Sequence, residues 1–112
     1  MEVLKISDKI IRKISLAFIR IHILYHAKNK AFYGAWMKEE LESHGYEISF
    51  GTLYPILHNL EKDKIIKSKK EIVEGKVRKY YSLTEKGQRV LNEIKEKSKE
   101  LFNEINERED GD

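Results

Sequence analysis

Apolar residues recur along this chain with two different periods. From residue 10 they keep a helical rhythm (Ile10, Ile11, Ile14, Ala17, Phe18, Ile21, Leu24, Tyr25), and no breaker follows until about Asn29. That predicts one long helix, with Ser7 as its cap and the charge of Asp8 at the positive end of the dipole. The apolar set is wider than one stripe, so this helix is expected to contact more than its own domain. A second helix is predicted from Tyr33 or Gly34 to His44, with Tyr33, Met37 and Leu41 as its stripe and Gly45 as a left-handed stop. Its outer face carries Glu39, Glu40 and Glu42. Ser49 is placed to cap a third helix, in which Leu53, Ile56, Leu57 and Leu60 share one face.

After Asp63 the period changes to two. Val77, Lys79, Tyr81 and Leu83 alternate with Lys76, Arg78, Tyr80 and Ser82, and Glu74-Gly75 supplies a turn, which predicts a β-hairpin with its apolar contacts on one face. Thr84 is placed to cap a last helix reaching about Arg108. Leu91, Ile94, Leu101 and Ile105 follow a heptad rhythm there, broken by Ser98 and widened by Val90 and Phe102. The acidic end "EREDGD" is expected to fray.

Pro55, the chain's single proline, falls inside the third helical pattern, where a proline costs about 3 kcal/mol. On a wheel of about 100° per residue, Gly51 and Pro55 lie opposite the Leu/Ile stripe, beside His58 and Lys62. The carbonyl that loses its partner, that of Gly51, therefore faces solvent or ligand and can be hydrated. The helix is expected to run through the proline, which marks its outward face.

Three helices followed by a hairpin predict a mainly α protein with a small β-hairpin, in the layout of a winged helix-turn-helix. The third helix would then enter a DNA major groove, with the hairpin beside it. The outward face offers Thr52, His58, Asn59 and Lys62, flanked by Tyr54, all able to donate to phosphates or base edges. Ser49 and Thr52 at the helix start would suit a phosphate, and Gly51 lets another backbone come close. Specificity is expected in Thr52, Tyr54, His58 and Asn59.

Charge strengthens this picture. The whole chain carries only +3, but residues 62–79 hold eight cations against three anions, while residues 99–112 hold two against six. A basic patch beside an acidic tail suits a polyanion met at one surface. Lys69, Lys70, Lys76, Arg78 and Lys79 of the hairpin would neutralise phosphates or reach into the minor groove, adding affinity rather than sequence choice. The bland alternative is a solvated lysine-rich loop.

At 112 residues, with no cysteine, the chain admits one modest core and no disulfide, thiolate metal site or cysteine nucleophile. The first residues do not look like a secretory signal. Ile14 to Tyr25 is apolar but too short to span a bilayer and is interrupted by Arg20 and His22. A cytoplasmic protein without membrane partners is expected. His22 and His26, four apart, could share a metal, but no third ligand lies near them in sequence, so they read as polar interface residues and no metal or cofactor is expected. No nucleophile–base pair, phosphate loop or carboxylate dyad is visible, so no enzyme is expected.

Three stretches, "FYGAWMKEELESHG", "SFGTLYPILHNLEKDKII" and "KVRKYYSLTEKGQ", make the sequence resemble the PadR family of bacterial and archaeal transcriptional regulators. The short single C-terminal helix is similar to that of the smaller family subtype. The resemblance implies a homodimeric repressor on an inverted repeat, built by packing the C-terminal helix against the partner's N-terminal helix. Residues 1–84 would form the DNA-binding domain with its long first helix, and residues 85–112 the dimerisation helix. The seam would comprise Leu91, Ile94, Leu101, Phe102 and Ile105, with Phe18, Ile21 and Tyr25 from the partner. A helix of this length leaves a small winged core after about two turns, which favours a seam over internal packing.

Two departures stand out. Lys64 occupies a position usually glycine, so either a lysine takes the left-handed turn or the helix ends differently. Trp36 stands where tyrosine is more usual and reads as core or helix packing. The C-terminal helix has no tryptophan, so the sandwiching of flat drugs there is not expected. An effector in the dimer cleft, shifting the spacing of the recognition helices, would extend the regulator reading. The rival from another class is a winged-helix protein-interaction module whose basic hairpin docks an acidic partner.

Overall fold

The computed structural model describes residues 2–111, with side chains described for residues 8–107. Helix α1 spans Glu2–Asn29, strand β1 Phe32–Tyr33, helix α2 Gly34–Ser43 and helix α3 Phe50–Lys62. Strands β2 (Ile66–Val73) and β3 (Lys76–Leu83) follow, then helix α4 (Glu85–Gly111). Helix α1 starts before Ser7, which lies within it rather than at a cap. Glu2 to Ile6 contain no glycine or proline to stop the helix earlier.

The sheet has three antiparallel strands in the order β1-β3-β2, one more than the hairpin expected. Phe32 pairs with Tyr81 and Tyr33 with Tyr80. Tyr33 therefore belongs to a strand, not to the stripe of α2; its extended backbone (φ −109°, ψ 161°) makes it the N-cap of that helix. A two-residue strand is too short to show alternation, so its neighbour across the sheet defines it. Met37 and Leu41 do bury the inner face of α2. Gly45, at φ 91°, closes the helix: its N–H donates to the Glu42 carbonyl at 3.0 Å and that of Tyr46 to Leu41 at 3.1 Å.

Helix α3 runs through Pro55 without a break. Leu53, Ile56 and Leu57 are buried beneath it, while Gly51, Pro55, His58 and Lys62 are exposed. The Ser49 side chain caps its start, accepting from the Thr52 N–H at 3.2 Å. Its end is a Schellman turn with Lys64 at φ 65° in the glycine position. The Lys64 N–H donates to Glu61 at 3.0 Å and that of Ile65 to Leu60 at 2.9 Å, and buried Ile65 leads into β2 at Ile66. The left-handed residue is thus the lysine itself, at a cost of roughly 1–2 kcal/mol.

Glu74 (φ 51°) and Gly75 (φ 77°) make the two-residue turn between Val73 and Lys76, with both central residues left-handed as a type I′ hairpin requires. Apolar contact on the inner face of β3 ends at Tyr81. Val77 is 67 % exposed and its cross-strand partner Ile72 79 %, because the hairpin projects past the core.

Thr84 caps α4 and stitches it to the end of α3. Its hydroxyl accepts from the Gly87 N–H at 2.9 Å and lies 2.9 Å from the Ile65 carbonyl. Gly87 is buried so close to that carbonyl that a Cβ would collide with backbone. Beyond this corner Leu91 is buried and Ile94 half-buried; from Lys95 to Glu107 the helix is exposed except at Asn106. The molecule measures 59 × 37 × 24 Å, its length reflecting the two long helices. No described helix is long and apolar enough to cross a membrane.

Candidate nucleic-acid interface

Capping and burial together orient α3. With Leu53, Ile56 and Leu57 turned inward, Gly51, Tyr54, His58, Asn59 and Lys62 are turned out. Thr52 is half-buried, its hydroxyl 3.3 Å from that of Ser49. Ser49 and Thr52 are thus already engaged with each other at the exposed start of the helix. Tyr54 does more than flank the face. Its ring stacks on Phe50 at 5.6 Å and sits over Gly34 of α2, where any Cβ would strike the ring. Two helices of the helix-turn-helix therefore meet at a glycine–tyrosine contact, which fixes α3 against α2.

The hairpin presents its cations on both faces. Lys70 and Lys79 share the side of Tyr81, facing α3; Lys69, Lys76 and Arg78 alternate onto the other. Lys69, Lys70 and Lys76 are exposed. Arg78 holds its guanidinium 4.3 Å from the centre of the Tyr33 ring, a cation–π contact that pre-orients it. A hydrogen bond with Tyr80, then the neighbouring Tyr33, keeps its proton held more tightly than usual.

Lys79 is tied inward. Its Nζ lies 3.1 Å from Glu61 Oε1, and Ser68 of β2 donates to the other oxygen of the same carboxylate. The Ser68 hydrogen bond, with Lys79 second to it in favouring the charged form, holds the Glu61 carboxyl below the ordinary range; the carboxylate in turn raises Lys79. Lys79 thus braces the hairpin against α3 in the free protein.

The twelve residues expected at a DNA surface accordingly occupy one helix and the adjoining hairpin, joined by the Glu61 bridge. Sequence reasoning missed Glu61, Tyr33 and Gly34. Glu61 is the only acid in α3, which was a signal, but its partners come from two other elements.

The seam residues divide between interior and surface. Leu91 belongs to the protomer's own core and Ile94 and Ile21 are half-buried. Phe18 (50 %), Tyr25 (52 %), Leu101 (51 %), Phe102 (67 %) and Ile105 (63 %) stay exposed. Ile10, Ile11 and Ile14 extend the exposed apolar row of α1. Trp36 is partly exposed and packs against Phe32 and His26.

A capped helix held outward on a helix-turn-helix, with a cationic two-stranded wing braced beside it, defines a winged-helix protein. The profile described as "Transcriptional regulator PadR-like family" matches residues 23–93. The chain is 44 % identical over 82 residues to the transcriptional regulator Rv3488 of Mycobacterium tuberculosis, covering 73 % of this chain and 77 % of that one. A crystal structure of a PadR family transcriptional regulator from Eggerthella lenta superposes with a TM-score of 0.81 at 25 % identity, covering 100 % of this chain and 99 % of the other. A PadR-like transcriptional regulator from Bacillus cereus gives a TM-score of 0.80 at 28 % identity over 89 % and 99 %. This chain belongs to the PadR-like family of transcriptional regulators, membership that implies DNA binding.

Proposed function

We propose that the protein is a homodimeric repressor that recognises an inverted repeat in double-stranded DNA. One observation carries this reading: the exposed polar row of α3 and the cationic hairpin form a continuous surface, held together by Glu61, Ser68 and Lys79. In this reading Thr52, Tyr54, His58 and Asn59 read base edges in the major groove. Ser49 and the backbone around Gly51 take a phosphate at the positive end of α3, joined by Lys62. Lys69, Lys70, Lys76 and Arg78 neutralise flanking phosphates, and Lys79 does so if the wing shifts on binding.

The exposed apolar rows on α1 and α4 support dimerisation through the partner's copies of the same helices. Phe18 and Tyr25 on one and Leu101, Phe102 and Ile105 on the other are too many large apolar groups to leave in water on a chain this small. In this reading residues 1–84 serve DNA binding, and residues 85–112 form the dimerisation helix, whose first turns also pack on the winged core through Leu91. An effector acting through the dimer cleft finds support in a cavity of about 850 Å³ between α1, α2 and α4.

Titration against duplex DNA at several salt concentrations tests the reading. DNA binding predicts a log–log slope of roughly −0.9 per neutralised phosphate, with a preferred palindrome above background. A flat salt response with no preferred sequence would instead favour docking of an acidic protein partner.

A further inference from the structure

Three of the chain's four histidines converge in one place. His22 and His26 stand one turn apart on α1, and His44 ends α2; one ring nitrogen from each lies within 4.8 Å of the other two. The rings of His22 and His44 stack at 4.7 Å. Glu40, one turn before His44, places Oε2 3.1 Å from His44 Nε2 and 3.4 Å from His26 Nε2. The third ligand that the spacing of His22 and His26 lacked is thus supplied by the approach of α2 to α1. His26 Nε2 is itself buried with no hydrogen-bond partner, since the Glu40 oxygen is near enough for charge attraction but not aligned to accept. A buried polar nitrogen left unpaired is costly unless something else occupies it.

We propose that His22, His26 and His44, with the Glu40 carboxylate as fourth donor, form a binding site for a divalent cation of the zinc class. Three imidazoles and a carboxylate suit zinc, cobalt or nickel; calcium and magnesium prefer all-oxygen shells. Tetrahedral zinc with bonds of about 2.0–2.1 Å sets its donor atoms about 3.3–3.4 Å apart. The two Glu40 contacts, at 3.1 and 3.4 Å, already lie close to that spacing. The imidazoles need only draw together from within 4.8 Å, with His44, the exposed member, adjusting its stack on His22.

Burial first, then the neighbouring histidines, holds His22 below the usual imidazole range. Burial does the same for His26, against the opposing pull of Glu40. Lys28 and Lys95 also line the cavity, with Tyr25 and Tyr46, and Glu40 is the anion that offsets them. The cavity, about 850 Å³, gives a cation its entry.

The site ties α1, which bears the exposed apolar row, to α2, which leads directly into α3. A bound cation would therefore fix the recognition helix relative to the dimer seam. That consequence rests on the regulator reading; the binding of the cation does not.

The full chain, dialysed free of metal and without DNA, is titrated with zinc by calorimetry and with cobalt by visible absorption. One ion per chain and the intense absorption of four-coordinate cobalt are expected. Glu40→Gln should weaken zinc binding about 10–100-fold and His44→Gln by at least tenfold, with circular dichroism unchanged, whereas Glu39→Gln on the outer face of α2 should bind as the parent does. Ring resonances of His22, His26 and His44 should shift together on adding zinc to the unaltered chain, which tests the site even if a variant fails to fold. No stoichiometric binding, unmoved histidine resonances, or His44→Gln binding like the parent would overturn the proposal.

Discussion

Glu61 of α3 and Lys79 of β3 meet at 3.1 Å, and the same carboxylate accepts a hydrogen bond from Ser68 of β2. The bridge is the only ionic link among the described residues between the recognition helix and the wing. It ties the exposed polar row of α3 to the cationic hairpin.

The bridge has a pH signature. Glu61 titrates below its unfolded value of 4.5, so its contribution is complete above about that pH and is lost as pH falls through the lower folded value. Glu61→Gln should lower stability at pH 7 by less than about 1 kcal/mol, since the pair is partly solvated, and should narrow the gap between parent and variant at pH 3. Thermal unfolding at both pH values checks this; a gap that does not shrink in acid would remove the bridge from the account.

Lys64 holds a left-handed conformation that costs an L residue about 1–2 kcal/mol. Lys64→Gly should relieve that strain at some cost in unfolded-chain entropy, raising stability by up to about 1 kcal/mol in urea denaturation. A destabilised variant would mean that the lysine side chain makes a contact of its own.

Arg78 and Asn59 should fail differently. Arg78→Ala is expected to weaken binding to all duplexes alike and to reduce the salt slope by about one phosphate's worth. Asn59→Ala should cost about 1–3 kcal/mol on a preferred operator and far less on random DNA. Competition binding with both DNAs separates the two, and equal sequence-independent losses would contradict the division of roles.

Leu101 is half-exposed on the far part of α4, away from the winged core. If the proposed seam forms, the parent sediments as a dimer and Leu101→Glu as a monomer, with the monomer's circular dichroism intact. An unchanged mass would place the seam elsewhere.

Much of this arrangement was legible in local sequence. Ser49 and Thr84 as caps, Gly45 as a stop, Glu74-Gly75 as the hairpin turn and the passage of α3 through Pro55 all depend on residues within one turn of each other. Strand β1 was not legible, because two residues show no period and Phe32-Tyr33 become a strand only beside Tyr80 and Tyr81. The stacking of Arg78 on Tyr33, the Glu61 bridge and the joining of His44 to His22 and His26 share that property. Each pairs residues distant along the chain, so the contact exists only once helices and sheet have packed. Ser7 shows the opposite failure: a good local cap was overridden by helix formers on its N-terminal side.

The most direct test of DNA recognition is selection of bound duplexes from a random pool. Enrichment of an inverted repeat with half-sites about one helical turn apart, lost in Asn59→Ala, is the expected result. A pool that stays random after selection, with binding indifferent to salt, would contradict the account.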